Sequence, residues 1–338
     1  MSREYAPSVK LDDPPRGLWE YFRIQCLPAI LQPEFTWKVR KSTAPLASNI
    51  PPTPKPNPPF VRRFWGRVHA LLERFSIYYC RWMGYPFNNQ IIPLPFGLLL
   101  KWPDGTRLEE VLATQVCRAA GIPTPKIISY GDHPDSPHAP VSILMTRLPG
   151  REIGDLYETL SPDAKLTALA ELKLYLSTIR GWKSPWGDER ICSITGGAIR
   201  SVRVPDHQVG PCETSKELHE HLLSAASKHS FPSEAIYEET MRCARKLQTL
   251  QRPGVKFTHG DFRNHNILVN EDGYITGLID CESAGWYPEF WEYTAALRFV
   301  RKDSWWYDCL MDLGAGRYLE ESKCEEALTS LIIDSYVW

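Results

Sequence analysis

Between Arg62 and Phe75 the apolar residues Phe64, Val68, Leu71, Leu72 and Phe75 recur at spacings of three, four and seven, which predicts a helix with one buried face. The run ending Gly97-Leu98-Leu99-Leu100-Lys101-Trp102 predicts a strand, and Pro103-Asp104-Gly105 supplies the turn after it. Thr106 followed by Glu109 spells a capping box. Leu108, Val111, Leu112, Val116 and Ala119 then form the apolar stripe of a helix, which Gly121-Ile122-Pro123 stops. Two further strands are expected over 126–130 and 141–148, the second closed by Pro149-Gly150.

From Arg151 onward longer helical patterns take over. Ser161-Pro162 is a helix start for a run reaching Ile179, and 214–228 and 233–250 also read as helices. The intervening 181–210 is rich in Gly, Ser and Pro and is expected to be loop. Strand-like runs at 267–269 and 274–279 flank Asn270-Glu271-Asp272-Gly273, a composition suited to a hairpin turn. Ahead of all this, six of the nine residues from Pro51 to Pro59 are proline, which marks a stiff boundary, and 17–31 holds an aromatic-rich stretch suited to a short amphipathic helix. The pattern divides the chain into an extension with a Pro-rich linker (1–59), a small lobe (60–148) and a larger lobe (149–338), as a length of 338 residues leads one to expect. The class is α+β, an antiparallel sheet with one helix in the small lobe and mainly helices in the large one.

Composition narrows the function. Hydrophobic residues at 43% and charged residues at 23% suit a soluble globular chain, and a net charge of −1 is too balanced for electrostatic capture of nucleic acid. The longest apolar run, 91–100, is short and broken by Pro93 and Pro95, so no membrane partner and a cytoplasmic location are expected. Nine cysteines without a C-x-x-C pair predict reduced, mostly packed thiols.

The candidate chemistry lies in His259-Gly260-Asp261-Phe262-Arg263-Asn264-His265-Asn266-Ile267-Leu268-Val269, followed by Leu278-Ile279-Asp280-Cys281-Glu282. Phosphoryl transfer from a nucleotide needs one carboxylate beside the acceptor hydroxyl and oxygen ligands meeting at magnesium. Asp261 suits the first task, and Asn266 with Asp280 the second. The same letters contain His259, Asp261 and His265, an H-x-D-x-x-x-H string able to hold zinc or manganese in a hydrolase. That reading needs further ligands; His219 and His221 are the candidates, on a helix expected to be solvated and with side chains pointing apart. Cys281 and Glu282 are expected to pack or support, and the tryptophans at 286, 291, 305 and 306 to fill core. Asp303, Asp308, Asp312, Glu320 and Glu321 read as a solvated face rather than a wall for a cationic substrate.

This pattern resembles the aminoglycoside phosphotransferase and choline kinase superfamily, whose fold is similar to that of protein kinases. The resemblance runs from about Pro93 to Val300, and Gly285-Trp286-Tyr287-Pro288-Glu289-Phe290-Trp291-Glu292-Tyr293 looks like an extension found in fungal members. It implies a two-lobed fold and ATP-dependent transfer of the terminal phosphoryl group to a hydroxyl of a small molecule, with ATP and Mg2+ as cofactors. It implies Asp261 as catalytic base or hydroxyl-orienting group, Asn266 and Asp280 as metal ligands, and His259 as a brace of the catalytic loop. Leu99-Leu100-Lys101 is similar to the strand whose lysine reaches the nucleotide phosphates. Glu110 is similar to its ion-pair partner, with Glu109 as the alternative, and Ile122-Pro123-Thr124-Pro125-Lys126 matches the family's I-P-x-P-K segment. Met145, Thr146, Arg147 and Leu148 would form the hinge that meets the purine. No glycine-rich phosphate loop precedes Lys101; Asn88, Asn89 and Gln90 stand there instead. A catalytically silent nucleotide- or protein-binding module, which would dock through the proline arm, is the alternative, and a protein Ser/Thr kinase is disfavoured by the H-G-D form of the loop.

Overall fold

A computed structural model describes residues 27–37, 45–201, 204, 207–229, 231–250 and 254–332. Most of the aromatic stretch at 17–31 lies outside the described residues; of its last part, Ala29–Leu31 form a single 3-10 turn. The chain divides into two compact units that alternate along the sequence, one formed by Met1–Lys38, Asn57–Thr106 and Ile127–Leu148, the other by Val39–Pro56, Arg107–Lys126 and Pro149–Trp338.

The first unit joins helix α1 (Pro59–Met83) to strands β1 (Ile91–Leu94), β2 (Leu98–Lys101), β3 (Ile127–Asp132) and β4 (Val141–Thr146), an antiparallel sheet in the order β1-β2-β4-β3. The prolines up to Pro58 form no regular element, and Pro59 opens the helix, where its missing N–H costs nothing. The face that α1 buries is not the expected one. Phe64, Leu71 and Phe75 are exposed, while Gly66, His69, Ser76 and Cys80 are buried. The reason is a close approach of backbones: a Cβ at Gly66 would stand 2.2 Å from the Asp132 carbonyl oxygen, so α1 reaches β3 only through glycine. Polar groups on that inner face are satisfied. His69 is hydrogen-bonded through Nδ1 to Ser142 Oγ at 2.6 Å and through Nε2 to Ser129 Oγ at 2.9 Å, and the Ser76 hydroxyl donates to the Pro93 carbonyl at 2.5 Å. Ile92, Leu94, Leu100 and Leu144 make the small apolar core.

The second unit contains α2 (Leu108–Ala119), β5 (Arg151–Glu152), the short α3 (Ile153–Leu156), α4 (Pro162–Gly181), β6 (Cys192–Ser193), β7 (Ile199–Arg200), β8 (Gln208–Val209), α5 (Ser215–Ser224) and α6 (Glu234–Leu250). It continues through β9 (Val255–Thr258), β10 (Ile267–Val269), β11 (Ile275–Leu278), β12 (Gly285–Pro288), α7 (Trp291–Leu297), α8 (Trp305–Asp312) and α9 (Leu319–Ser330). Two three-stranded sheets, β11-β10-β5 and β6-β12-β9, carry the chemistry-bearing segments. Ser161 accepts the Ala164 N–H as the N-cap of α4, whose Ala164, Ala168, Leu172, Leu176 and Ile179 form a spine in the core. Trp182, Phe257 and Trp286 pack successively, with ring centroids 5.1 and 5.3 Å apart. Trp286, Trp291 and Trp306 are core, as their density suggested.

Several local expectations change. The capping box does not form: Arg107 is the N-cap residue of α2 and the Thr106 hydroxyl donates instead to the Pro103 carbonyl at 3.0 Å. The 181–210 segment carries the short strands β6, β7 and β8 rather than loop alone. Within the extension, the Ala47 N–H donates to the Ala120 carbonyl, the Ala47 carbonyl accepts from Trp182 Nε1, and Leu46 and Ile50 pack on the second unit's core. The eight described cysteines are all thiols.

Candidate active site

Strand β9 delivers His259, Gly260 and Asp261 at its end. Gly260 adopts φ 84°, and a Cβ there would stand 2.4 Å from the Ser283 carbonyl oxygen, so the central letter of H-G-D is fixed by backbone conformation and space together. The loop backbone is tied by Glu292 of α7, which is fully buried and accepts the N–H of His259 at 2.6 Å and of Gly260 at 3.1 Å. The sequence does not disclose this part of Glu292; its signal is a carboxylate set between the aromatic Trp291 and Tyr293.

Asp261 is held on both carboxylate oxygens. Oδ2 accepts from the Asn266 side-chain amide at 2.8 Å, and Oδ1 lies 2.8 Å from Arg263 Nε in an ion pair rather than an aligned hydrogen bond. The same amide donates to the Asp261 carbonyl at 3.0 Å, which leaves the amide oxygen of the buried Asn266 directed elsewhere. The Asp261 side chain nevertheless keeps 32% of its surface accessible. Arg263 is a second residue whose part the sequence did not disclose.

The β10–β11 hairpin returns the chain to this loop, with Ile267 opposite Leu278 and a bulge at Leu268/Val269. Ile279 is bonded both ways: its N–H donates to the Asn266 carbonyl at 3.0 Å, and its carbonyl accepts from His259 Nε2 at 3.0 Å. The next residue, Asp280, adopts the left-handed conformation at φ 64° and ψ 61°, sparsely populated for a residue with a Cβ and a place where backbone strain is stored. One carboxylate oxygen from each of Glu110, Asp280 and Glu282 lies within 4.8 Å of the others. Glu110 reaches this group from the first turn of α2, where it is buried; Glu109 accepts instead from the Thr195 hydroxyl at 3.4 Å. Glu282 also forms an ion pair with Arg200 at 3.7 Å, so it is a member of the acidic group and not a packing residue alone. Three hard oxygen donors converging in this way suit Mg2+ better than a transition metal.

His259 has a pKa raised to about 9: burial opposes its charged form, but the neighbouring Cys281, Glu292 and Asp261 outweigh it. The Cys281 thiol, hydrogen-bonded to the Cys117 thiol and buried, is pushed well above its usual range. The zinc-hydrolase reading fails on geometry. Among the described residues His259, Asp261 and His265 do not converge, and His219, expected to be solvated, is buried with burial holding its pKa down at about 4. Of the acidic residues near the C-terminus, Asp303 pairs with Arg301, Glu320 with Lys246, and Glu321 is buried, while Asp308 and Asp312 both lie near Tyr157.

The remaining candidates lie in the first unit. Lys101 ends β2 opposite Ile143 of β4 and is buried rather than turned to water. Met145 and Thr146 end β4, and the Arg147 N–H is already committed to the Gly97 carbonyl at 2.8 Å, with its guanidinium donating to the Pro33 carbonyl. The Ile122–Lys126 segment, in the second unit, is anchored by the Leu278 N–H donating to the Pro123 carbonyl at 2.7 Å.

A model of the phosphotransferase enzyme family matches residues 99–317, more than half of the chain. No curated protein sequence matches. Among solved structures, a thermostable mutant of aminoglycoside phosphotransferase APH(4)-Ia is similar at 17% identity and a TM-score of 0.44, covering 69% of this chain and 76% of that one. A choline/ethanolamine kinase family protein from Mesorhizobium loti is similar at 13% identity and a TM-score of 0.44, covering 79% and 82%. Choline kinase LicA from Streptococcus pneumoniae is similar at 14% identity and a TM-score of 0.43, covering 74% and 82%.

Proposed function

The chain belongs to the phosphotransferase enzyme family, and from that premise we propose that it transfers the terminal phosphoryl group of ATP to a hydroxyl group of a small molecule. The observation that carries this reading is the fastening of one loop, in which Asp261 is gripped by Asn266 while Ile279, beside Asp280, is bonded to both His259 and Asn266. That arrangement holds a carboxylate for the acceptor and a carboxylate for a metal on a single braced scaffold.

In this reading Asp261 orients the acceptor hydroxyl and takes its proton late in a loose transition state, so its basicity needs no large increase. Each carboxylate oxygen has a second lone pair beyond the one used by Arg263 or Asn266, which is what an incoming O–H would meet. Asp280 and the amide oxygen of Asn266 are assigned to magnesium, with Glu110 and Glu282 adding negative charge beside it. Bound there, the ion would neutralise charge on the phosphates. Lys101 is assigned to the nucleotide phosphates, and the strand end from Met145 to Leu148 to the purine; because the Arg147 N–H is spent on Gly97, the other backbone groups of that segment carry the contact.

A panel of hydroxylated metabolites tested for ADP release, with Asp261→Asn as the blank, tests the proposal. Acceptor-dependent release by the native chain and none by the variant is the expected result. Nucleotide binding with no release toward any acceptor would instead favour a silent binding module.

A further inference from the structure

The outward face of α1 is apolar and basic, and nothing in the chemistry above uses it. At 100° per residue, Phe60, Phe64, Leu71, Phe75, Tyr78 and Trp82 fall within about 60° of one another around the helix axis. All six are exposed, Phe60 and Tyr78 each at 73% and Leu71 at 62%. They lie opposite the buried Gly66, His69 and Ser76, so the stripe is the side of the helix turned away from its sheet. From residue 60 to residue 82 it extends about 33 Å. Arg63, Arg67, Arg74 and Arg81 follow one edge of it, all exposed. Glu73, the single acid among the helix's 25 residues, lies on the far side.

A stripe of Phe, Leu, Tyr and Trp edged by arginine and free of acid is the composition of a helix lying in the headgroup plane of a bilayer. The apolar side chains enter the acyl boundary, the aromatic hydroxyl and indole stay at the headgroups, and the guanidinium groups meet lipid phosphate or carboxylate. We propose that this face of α1 docks the protein onto an anionic phospholipid surface. A second copy of the chain is a poorer occupant, because pairing would bring together two arginine-edged faces with no acid on either to meet the charge. The expectation of no membrane partner rested on the lack of a spanning segment, and no described helix is long and apolar enough to span; lying on a bilayer is a separate physical demand.

The test is co-sedimentation of the full chain with vesicles of phosphatidylcholine alone or mixed with phosphatidylserine, at low and high salt. Binding is expected to the mixed vesicles, to weaken with salt, and to shift tryptophan emission to the blue. The double variants Phe64→Ser/Leu71→Ser and Arg67→Glu/Arg74→Glu alter only exposed positions, so each should melt like the native chain yet bind roughly tenfold or more weakly. Absence of pelleting with the mixed vesicles overturns the proposal, as does binding that neither variant changes. A solution dimer that Phe64→Ser/Leu71→Ser dissociates, without vesicle binding, would assign the face to a second copy instead.

Discussion

The carboxylate of Glu292 spans the backbone of the His259-Gly260-Asp261 loop, one oxygen on the N–H of His259 and the other on that of Gly260. Both donors precede Asp261, so the position of the proposed base is set from a helix 31 residues away in sequence. Replacing Glu292 by Ala leaves one buried and one part-buried N–H group without the acceptor, and a stability loss of about 3 to 5 kcal/mol is expected. Glu292→Gln, which retains one acceptor oxygen, should lose less. Urea unfolding measures both, and a loss in Glu292→Ala below about 1 kcal/mol, the size of a single ordinary hydrogen bond, would show that the brace is dispensable.

Arg263 and Asn266 divide the two oxygens of Asp261 between them, which makes Arg263 a positioning residue for the proposed base. Asp261→Asn is expected to cut turnover by roughly a thousandfold or more with nucleotide affinity nearly intact. Arg263→Ala should lower kcat by roughly ten- to a hundredfold through misplacement of the carboxylate, leave KM for nucleotide little changed, and be partly restored in Arg263→Lys. A kcat in Arg263→Ala equal to that of the native chain would remove Arg263 from the argument.

The meeting of Asp261 and Asn266 on one loop, and the return of the chain to that loop at Ile279, were legible in the sequence because they depend on short spacings along one loop and one hairpin. The β10–β11 hairpin was legible from apolar runs around a turn composition, whereas β9 and β12 were not. Periodicity located α1 but pointed to the wrong face, since a repeat of three and four reveals that a stripe exists and not whether a sheet or solvent lies against it. Gly66 decided that, through a backbone contact with Asp132 that no hydropathy pattern contains. The capping box failed for a similar reason: the Thr106 hydroxyl had a nearer acceptor in its own turn, at Pro103. Glu292 and Arg263 escaped because each acts through a partner fixed only in the folded chain.

The acidic group of Glu110, Asp280 and Glu282 predicts a metal dependence that can be read without turnover. Asn tolerates the left-handed backbone at position 280 better than most residues, so Asp280→Asn removes charge while sparing conformation. Nucleotide titrated calorimetrically into the native chain should bind more tightly with magnesium than with EDTA, and the variant should lose roughly tenfold or more of that gain. Equal affinities of the native chain in magnesium and in EDTA would dissociate the acidic group from nucleotide binding.

Buried histidine gives the first unit an acid limit. Burial and the nearby His133 hold the pKa of His69 down at about 4, against an ordinary value of 6.5. Between those values the unfolded chain takes up a proton that the folded one refuses, so the contribution of His69 is complete above pH 6.5 and is lost as pH falls toward 4, by up to about 3 kcal/mol. His133, held down chiefly by burial, acts in the same direction, as does His219 in the second unit, whereas the raised His259 acts oppositely and over more alkaline pH. The share of His69 is therefore the difference in acid sensitivity between the native chain and His69→Gln, measured by urea unfolding at pH 7 and pH 5, with the native chain losing more. An NMR titration supplies the direct check, because an imidazole at position 69 that gained its proton near pH 6.5 would mean that its bonds to Ser129 and Ser142 open freely to water.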